Sequence, residues 1–238
     1  MISVIIPTYN KNGVLRHTIL SLINQGVKDY EVIVSDDGGN TNTKEMLDSL
    51  DVPFEIKYYW HEKKGFRAAK ARNEGVKISS GDKIVFLDED VILAPDSLKV
   101  FDGLDVENKY YVAIKKLMPL SFYEEKINDV VILKNFEVFE TQHHGFIEST
   151  LSSIGIVSRK NFDIIEGFDE EFRGWGFEDT ELMSRLKDIG IKKCKTEIIG
   201  YHVEHKGLQL NKHNRFLFGQ KYKLKTKNGK KIIILEDV

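Results

Sequence analysis

The sequence predicts an α/β protein: a mostly parallel central sheet flanked by helices, with a β-hairpin at the carboxyl end. Three observations lead there. Apolar runs alternate with segments of helical period through residues 2–90, the pattern of βαβ units with right-handed crossovers. Residues 2–6, 30–35 and 84–87 are apolar with little interruption, as strands buried on both faces are. Each of these runs ends in polar or acidic residues, so Pro7 to Asn10, Asp36-Asp37 and Asp88 to Asp90 become neighbours at the edge where open α/β sheets bind ligands.

The elements follow in order. Residues 2–6 form a short strand halted by Pro7, whose ring fixes φ and removes a donor, and Thr8-Tyr9-Asn10 form a loop. After Gly13, Leu15, Ile19, Leu22 and Ile23 recur at helical spacing, and Gly26 sits where a terminator belongs. Residues 30–35 form a second strand; Asn42, with Glu45 three residues on, opens a helix to Leu50. Residues 54–59 alternate as a third strand, and the alanines between Lys63 and Gly75 favour a helix. Gly81-Asp82 then turns the chain into a fourth strand, 83–87. Pro95 opens a short helix to Phe101, and 110–114 is another strand. Residues 115–150 have no clear period and read as a variable insertion or an edge element. Order returns at 154–157. Leu182, Leu186 and Ile189 at helical spacing, closed by Gly190, put Glu178 and Asp179 in the first turn of a helix. Residues 191–199 form a strand leading to Tyr201-His202-Val203-Glu204-His205, and 222–226 with 230–235 flank Asn228-Gly229, a two-residue hairpin signal.

Composition narrows the class. At 238 residues, 41% hydrophobic and 30% charged, the chain is an ordinary globular protein of one or two domains. A net charge of −2 argues against a nucleic-acid partner. The one cysteine, Cys194, makes no internal disulfide and fits a reducing compartment. The first apolar run is too short for a signal peptide, and none approaches the ~20 residues of a membrane span. The expectation is a cytoplasmic protein, at most associated with the cytosolic face of a membrane.

The stretch from Lys83 to Asp90 is the chemical centre: a buried strand that ends in three carboxylates. On an extended chain Asp88 and Asp90 project to one side and Glu89 to the other. Two hard oxygen donors with no adjacent Cys or His suit Mg²⁺ or Mn²⁺ shared with a phosphate better than zinc. Alone, the triplet reads as a solvated turn; its surroundings change that.

Those surroundings are Ser3-Val4-Ile5-Ile6-Pro7-Thr8-Tyr9-Asn10, Val34-Ser35-Asp36-Asp37-Gly38, Ala71-Arg72-Asn73-Glu74-Gly75 and Phe86-Leu87-Asp88-Glu89-Asp90, which resemble a family 2-type glycosyltransferase of the GT-A fold. Gly167-Phe168-Asp169-Glu170 and Gly174-Trp175-Gly176-Phe177-Glu178-Asp179 resemble the carboxyl-terminal region of β-1,4-galactosyltransferases, polypeptide N-acetylgalactosaminyltransferases and bacterial chondroitin polymerases. The resemblance covers about residues 2–92 and 153–206. It implies a Rossmann-like GT-A sheet, with 1–115 as a nucleotide-sugar half, 116–206 as an acceptor and catalytic half of the same domain, and 207–238 as an extension bearing the hairpin.

It also implies roles. The reaction is transfer of a sugar from a nucleotide-sugar, a UDP-sugar first, to a hydroxyl of a glycan, lipid-linked or protein acceptor. Tyr9 would stack on the base and Asp37 accept from the imide N–H of uracil, with Pro7, Thr8 and Asp36 beside them. Arg67 and Arg72, with Lys70, are candidates for the diphosphate; Arg72 is equally well read as a structural partner of an aspartate such as Asp82. Asp90 would hold Mn²⁺ or Mg²⁺, with Asp88 near the ribose or a metal-bound water and Glu89 in the same nucleotide-binding turn. His202 would complete the metal set, His205 being the fallback, and His143-His144 reads as surface. Asp179 would be the general base, Glu178 would orient the acceptor, and Trp175 beside Gly176 would offer it an apolar face. The bland reading of Glu178-Asp179 is a pair favoured by the helix dipole, which leaves the Gly-Trp-Gly lead-in unexplained. The Glu-Asp pair predicts inversion, since related retaining enzymes carry Glu-Asn there.

The competing readings are a retaining N-acetylhexosaminyltransferase-like enzyme, a glycoside hydrolase, a nucleotidyltransferase and a non-catalytic nucleotide-sugar-binding module. A hydrolase has no use for Tyr9 and Asp37 on neighbouring strand ends. A nucleotidyltransferase would carry a glycine-rich basic loop after the first strand. Lys221, Lys223, Lys225, Lys227, Lys230 and Lys231 make the terminal hairpin basic, either as a solvated face or as a contact with anionic membrane.

Overall fold

The computed structural model describes residues 1–40, 42–134, 136, 139, 147–149, 154–205, 211–222, 226–227 and 230–231. Its first part alternates as expected: β1 (Ile2–Thr8), α1 (Asn12–Ser21), β2 (Tyr30–Asp36), α2 (Thr43–Asp48), β3 (Glu55–Trp60), α3 (Ala68–Ile78) and β4 (Lys83–Leu87). Then come β5 (Val91–Leu93), α4 (Ser97–Asp102), β6 (Lys109–Met118), α5 (Leu120–Lys126), α6 (Asp129–Lys134), β7 (Ile147–Ser149) and β8 (Ile154–Ser158). The last elements are α7 (Arg159–Ile164), α8 (Glu178–Asp188), β9 (Lys192–Val203), α9 (Lys212–Lys221), β10 (Thr226–Lys227) and β11 (Lys230–Lys231).

Among the described residues one sheet runs β3-β2-β1-β4-β8-β6-β9-β5, with β7 beside β6. It is parallel from β3 to β4, where helices supply the crossovers. Beyond β4 it is mixed: β8 opposes β4 and β6, β6 runs with β9, and β5 opposes β9. The cause is connection length. β5 begins directly after the acidic turn that ends β4, far short of the dozen residues a parallel crossover needs, so it lies at the far edge against β9.

Strand alternation divides the core. Ile2, Val4, Ile6, Val85 and Leu87 face one layer with Leu15, Ile19 and Leu22. Ile5, Ile33, Ile84 and Phe86 face the other, with Phe162, Phe168, Leu182 and Leu186. Contrary to expectation, Pro7 does not halt β1. Pairing with β4 stops at Ile5, opposite Phe86, while pairing with β2 continues to Thr8, so the missing amide of Pro7 falls beyond the β4 ladder.

Within 115–150, β6 extends to Met118, and α5 and α6 pack beside α1 over a small cluster of Leu20, Ile92, Met118, Ile132 and Tyr201. Contacts tying α1 to this insertion include Arg16 to Asp129 at 2.7 Å and His17 Nδ1 to the Tyr123 hydroxyl at 2.7 Å. At the carboxyl end β10 and β11 pair antiparallel, Thr226 with Lys231 and Lys227 with Lys230. Asn228-Gly229 and His143-His144 lie outside the described residues. No described helix is long and apolar enough to cross a membrane.

Candidate active site

The carboxyl ends of β1, β2 and β4 meet, and the amino end of α8 and the far end of β9 close on them. β4 ends at Leu87, so 88–90 forms a turn in which the strict two-residue alternation no longer applies. Asp88 and Asp90 therefore diverge. Asp88 Oδ1 accepts from Arg72 Nη2 at 2.8 Å. Asp90 instead faces Lys11 Nζ at 2.8 Å, His202 Nε2 at 3.3 Å and His205 Nε2 at 3.2 Å. Glu89 turns back onto β1, where it accepts from the Thr8 hydroxyl and from Tyr9 N at 2.8 Å, while Thr18 Oγ1 holds its carbonyl at 2.8 Å.

These environments set the charges. Burial works against ionisation of Asp90, but the His205 hydrogen bond, His202 and Lys11 outweigh it and hold the carboxyl well below the usual carboxylate range. Burial pushes His202 down despite Asp90 beside it. Glu89 goes the other way: burial, with Asp90 and Asp88 nearby, pushes it up to about 7 against the Thr8 bond and Lys11.

Asp90, His202 and His205 place a carboxylate oxygen and two imidazole nitrogens within 4.8 Å of one another. Among the described residues this is the one such cluster. The donor set fits a divalent ion, and its two nitrogens suit Mn²⁺ better than Mg²⁺, which prefers an all-oxygen shell. His202 Nδ1 is buried without a partner.

Arg72 joins this edge to α8. It is buried, and its second arm lies 3.5 Å from Glu178 Oε1 and 3.8 Å from Asp179 Oδ1. Despite the cost of burial, the carboxylates Asp179, Asp88 and Glu178 hold the guanidinium firmly protonated. Pairing of Arg72 with Asp82 is not observed. Asp82 lies at the opposite end of β4 and binds the amino terminus of Met1 at 2.7 Å.

On the β1–β2 side, Asp36 is fully buried and accepts from Gly39 N at 2.6 Å and the Tyr58 hydroxyl at 3.0 Å, holding the turn after β2. Asp37 is buried as well. His61 Nε2 and Arg67 Nε lie on its Oδ1 at 2.7 and 3.1 Å, and Arg67 N donates to Oδ2 at 2.6 Å. Arg67 thus stands at the start of α3 and faces Asp37, whereas Lys70 pairs with Glu74 and Glu170. Tyr9 presents its ring to the Lys63 ammonium at 3.6 Å from the centroid. Trp175 is 43% exposed at the rim, and Gly176 N donates to Glu178 Oε2 at 3.1 Å.

Three residues of this edge carried no signal in the sequence: Lys11, His61 and Thr18. Lys11 and Thr18 act across some seventy to eighty residues of chain, and His61 follows a strand in an unremarkable polar turn.

Comparison with known proteins agrees with the geometry. Residues 3–115 match the model "Glycosyl transferase family 2", and residues 136–206 match the model "N-terminal domain of galactosyltransferase". Validoxylamine A glucosyltransferase of Streptomyces hygroscopicus subsp. jinggangensis is 28% identical over 80% of this chain and 52% of its own length. Chondroitin synthase of Escherichia coli is 27% identical over 87% of this chain and 35% of its own. The chain thus spans about half or less of these curated relatives. Among solved structures, S. aureus TarS 1–349 in complex with UDP-GlcNAc aligns with a TM-score of 0.64 at 21% identity, covering 87% of this chain and 59% of that one. A mannosyltransferase of Pyrobaculum calidifontis in complex with GDP-Man and Mn²⁺ aligns at 0.63 and 17% identity, covering 87% and 58%. The fold is that of these GT-A structures.

Proposed function

The chain carries a glycosyl transferase family 2 domain over residues 3–115, and from that premise we propose that it is a metal-dependent, inverting glycosyltransferase that moves a sugar from a UDP-sugar to an acceptor hydroxyl. One observation supports this most: Arg72 bridges Asp88 to Glu178 and Asp179, while Asp90, two residues on, meets His202 and His205. In this reading the metal set and the candidate base share one edge. Residues 1–115 would grip the donor and 116–206 the acceptor, with 207–238 as an extension.

In this reading Asp90 and His202, joined by His205, hold Mn²⁺ or Mg²⁺. Such an ion offsets charge on a departing diphosphate as a Lewis acid. Tyr9 stacks on the base once Lys63 moves off its ring. Asp37 retains acceptor capacity for an imide N–H, since a carboxylate offers about four lone-pair sites. Pro7, Thr8, Asp36 and Glu89 shape that pocket, while Arg67 fixes Asp37 and Arg72 fixes Asp88 beside the diphosphate. Asp179 accepts the proton of the attacking hydroxyl, Glu178 orients the acceptor, and Trp175 beside Gly176 offers a flat apolar surface. A similar structure was solved with UDP-GlcNAc and another with GDP-Man and Mn²⁺, which supports a nucleotide-sugar donor and a metal.

The test is calorimetric titration with UDP-, GDP- and dTDP-sugars, with and without Mn²⁺, followed by assay of released nucleotide. The reading expects UDP-sugars to bind in an Mn²⁺-dependent manner. Binding of none of them, or binding indifferent to the ion, rejects it.

A further inference from the structure

We propose that α9 is a positioning element for the acceptor side of the site, its residues Asn211 and Asn214 holding the 174–177 loop that delivers Trp175, Glu178 and Asp179. The inference rests on the acceptor role given above to those residues. Helix α9 lies beyond residue 206, where the second family match ends.

The loop needs holding. Gly174, Gly176 and Phe177 all have positive φ, at 77°, 100° and 72°. Phe177 is not glycine, and a side chain disfavours that left-handed conformation. It precedes α8 with no side-chain cap on the helix. Left alone, this backbone has little reason to keep one geometry.

The start of α9 supplies the restraint. Three successive stretches of loop backbone are gripped in register: Asn211 Nδ2 donates to Arg173 O at 2.6 Å, Asn211 N to Trp175 O at 3.1 Å, and Asn214 Nδ2 to Gly176 O at 2.8 Å. Gly174 permits the approach, since a Cβ there would lie 2.6 Å from Asn211 Nδ2. On the same side the Phe177 ring stacks on Phe218 of α9, centroids 5.3 Å apart and 30° between planes. Across the loop, Gly174 N donates to Phe66 O at 2.9 Å. Asn214 is fully buried and its Oδ1 has no partner.

Two near-isosteric substitutions isolate the grip. Asn211 caps α9 by accepting from His213 N at 2.9 Å, a bond aspartate makes equally well, so Asn211→Asp preserves the helix and removes only the Nδ2 donor. Asn214→Leu, close in size, does the same to Gly176 from inside without burying a charge. The chain has two tryptophans, so in a Trp60→Phe background the fluorescence reports Trp175 alone. With circular dichroism unchanged, each variant should raise acrylamide quenching of Trp175 at least about twofold and lower UDP release from UDP-GlcNAc at least about tenfold, with UDP affinity in Mn²⁺ kept within about twofold. Unchanged quenching in a folded Asn211→Asp protein overturns the proposal, as does a fall in UDP affinity equal to the fall in turnover. Should the unsubstituted enzyme neither bind nor turn over UDP-GlcNAc, the functional reading above fails, and the quenching comparison still decides whether α9 holds the loop.

Discussion

Arg72 donates to Asp88 at 2.8 Å at the carboxyl end of β4, and the other arm of the same buried guanidinium faces α8. Two regions separated by some ninety residues of sequence therefore share one positive charge. Substitution should show it. Arg72→Met leaves Asp88, Glu178 and Asp179 crowded without a counter-charge, which should cost about 3–5 kcal/mol in urea unfolding and abolish turnover. Arg72→Lys should recover part of the stability but little activity, because an ammonium cannot reach both sides as the planar fork does. Full activity in Arg72→Lys would rule out the bridging role.

Asp179→Asn keeps the volume and removes the proton acceptor. Turnover should fall at least about 100-fold, while UDP affinity in Mn²⁺ stays unchanged. Near-normal turnover would remove Asp179 from the chemistry.

Mn²⁺ binding should weaken at least about tenfold in Asp90→Asn and in His202→Ala, measured by electron paramagnetic resonance of free Mn²⁺. His205→Ala tests whether the second imidazole is a full ligand. The ion binds neutral imidazole, and burial lowers the His202 value. Affinity should thus hold steady as pH falls to about 6.5, the ordinary histidine value, and drop only below it. A loss already complete at neutral pH would contradict this.

Glu89 gives stability an opposite pH dependence. Its folded value is pushed up to about 7 by burial, so the folded chain binds this proton more tightly than the unfolded one. The contribution is complete below the unfolded carboxyl value and disappears as pH rises to about 7, by roughly 3 kcal/mol at most. In metal-free protein, Glu89→Gln should therefore lose less stability than the parent over that interval. Parallel curves would refute it.

Gly75 pits two local effects against each other. Alanine is better than glycine inside a helix by about 1 kcal/mol. A Cβ at Gly75, however, would lie 2.7 Å from Ile5 Cγ2, and Ile5 is completely buried between β1 and α3. Overpacking of about 1–3 kcal/mol should prevail. Gly75→Ala should lower the urea midpoint, and a rise would mean that α3 can shift outward.

Much of the β1-to-β4 part could be read from local pattern. The β1-to-β4 alternation, the acidic ends of β2 and β4, and the start of α8 at Glu178 all follow from rules that act within ten residues. What escaped depends on distant partners. Nothing near Lys11 indicates that it meets Asp90, and helical spacing describes the face of Arg72 without saying which carboxylates approach it. The departure of β5 to the far edge was hidden because a three-residue apolar strand resembles the tail of the one before it. The α5–α6 insertion blurred because its apolar residues serve a separate small cluster with α1 and β9.

The position of β4 between β1 and β8 has a practical corollary. The two family-matched regions are separable on paper but not as polypeptides. A fragment ending near residue 115 would leave the β4 edge bare and deprive β6 of its three partners, β7, β8 and β9, offering open hydrogen-bonding ladders to any neighbouring copy. Expressed alone, that half should precipitate or form intermolecular sheets, so shortened versions of the protein are better made by trimming beyond α9 than by cutting at the family boundary.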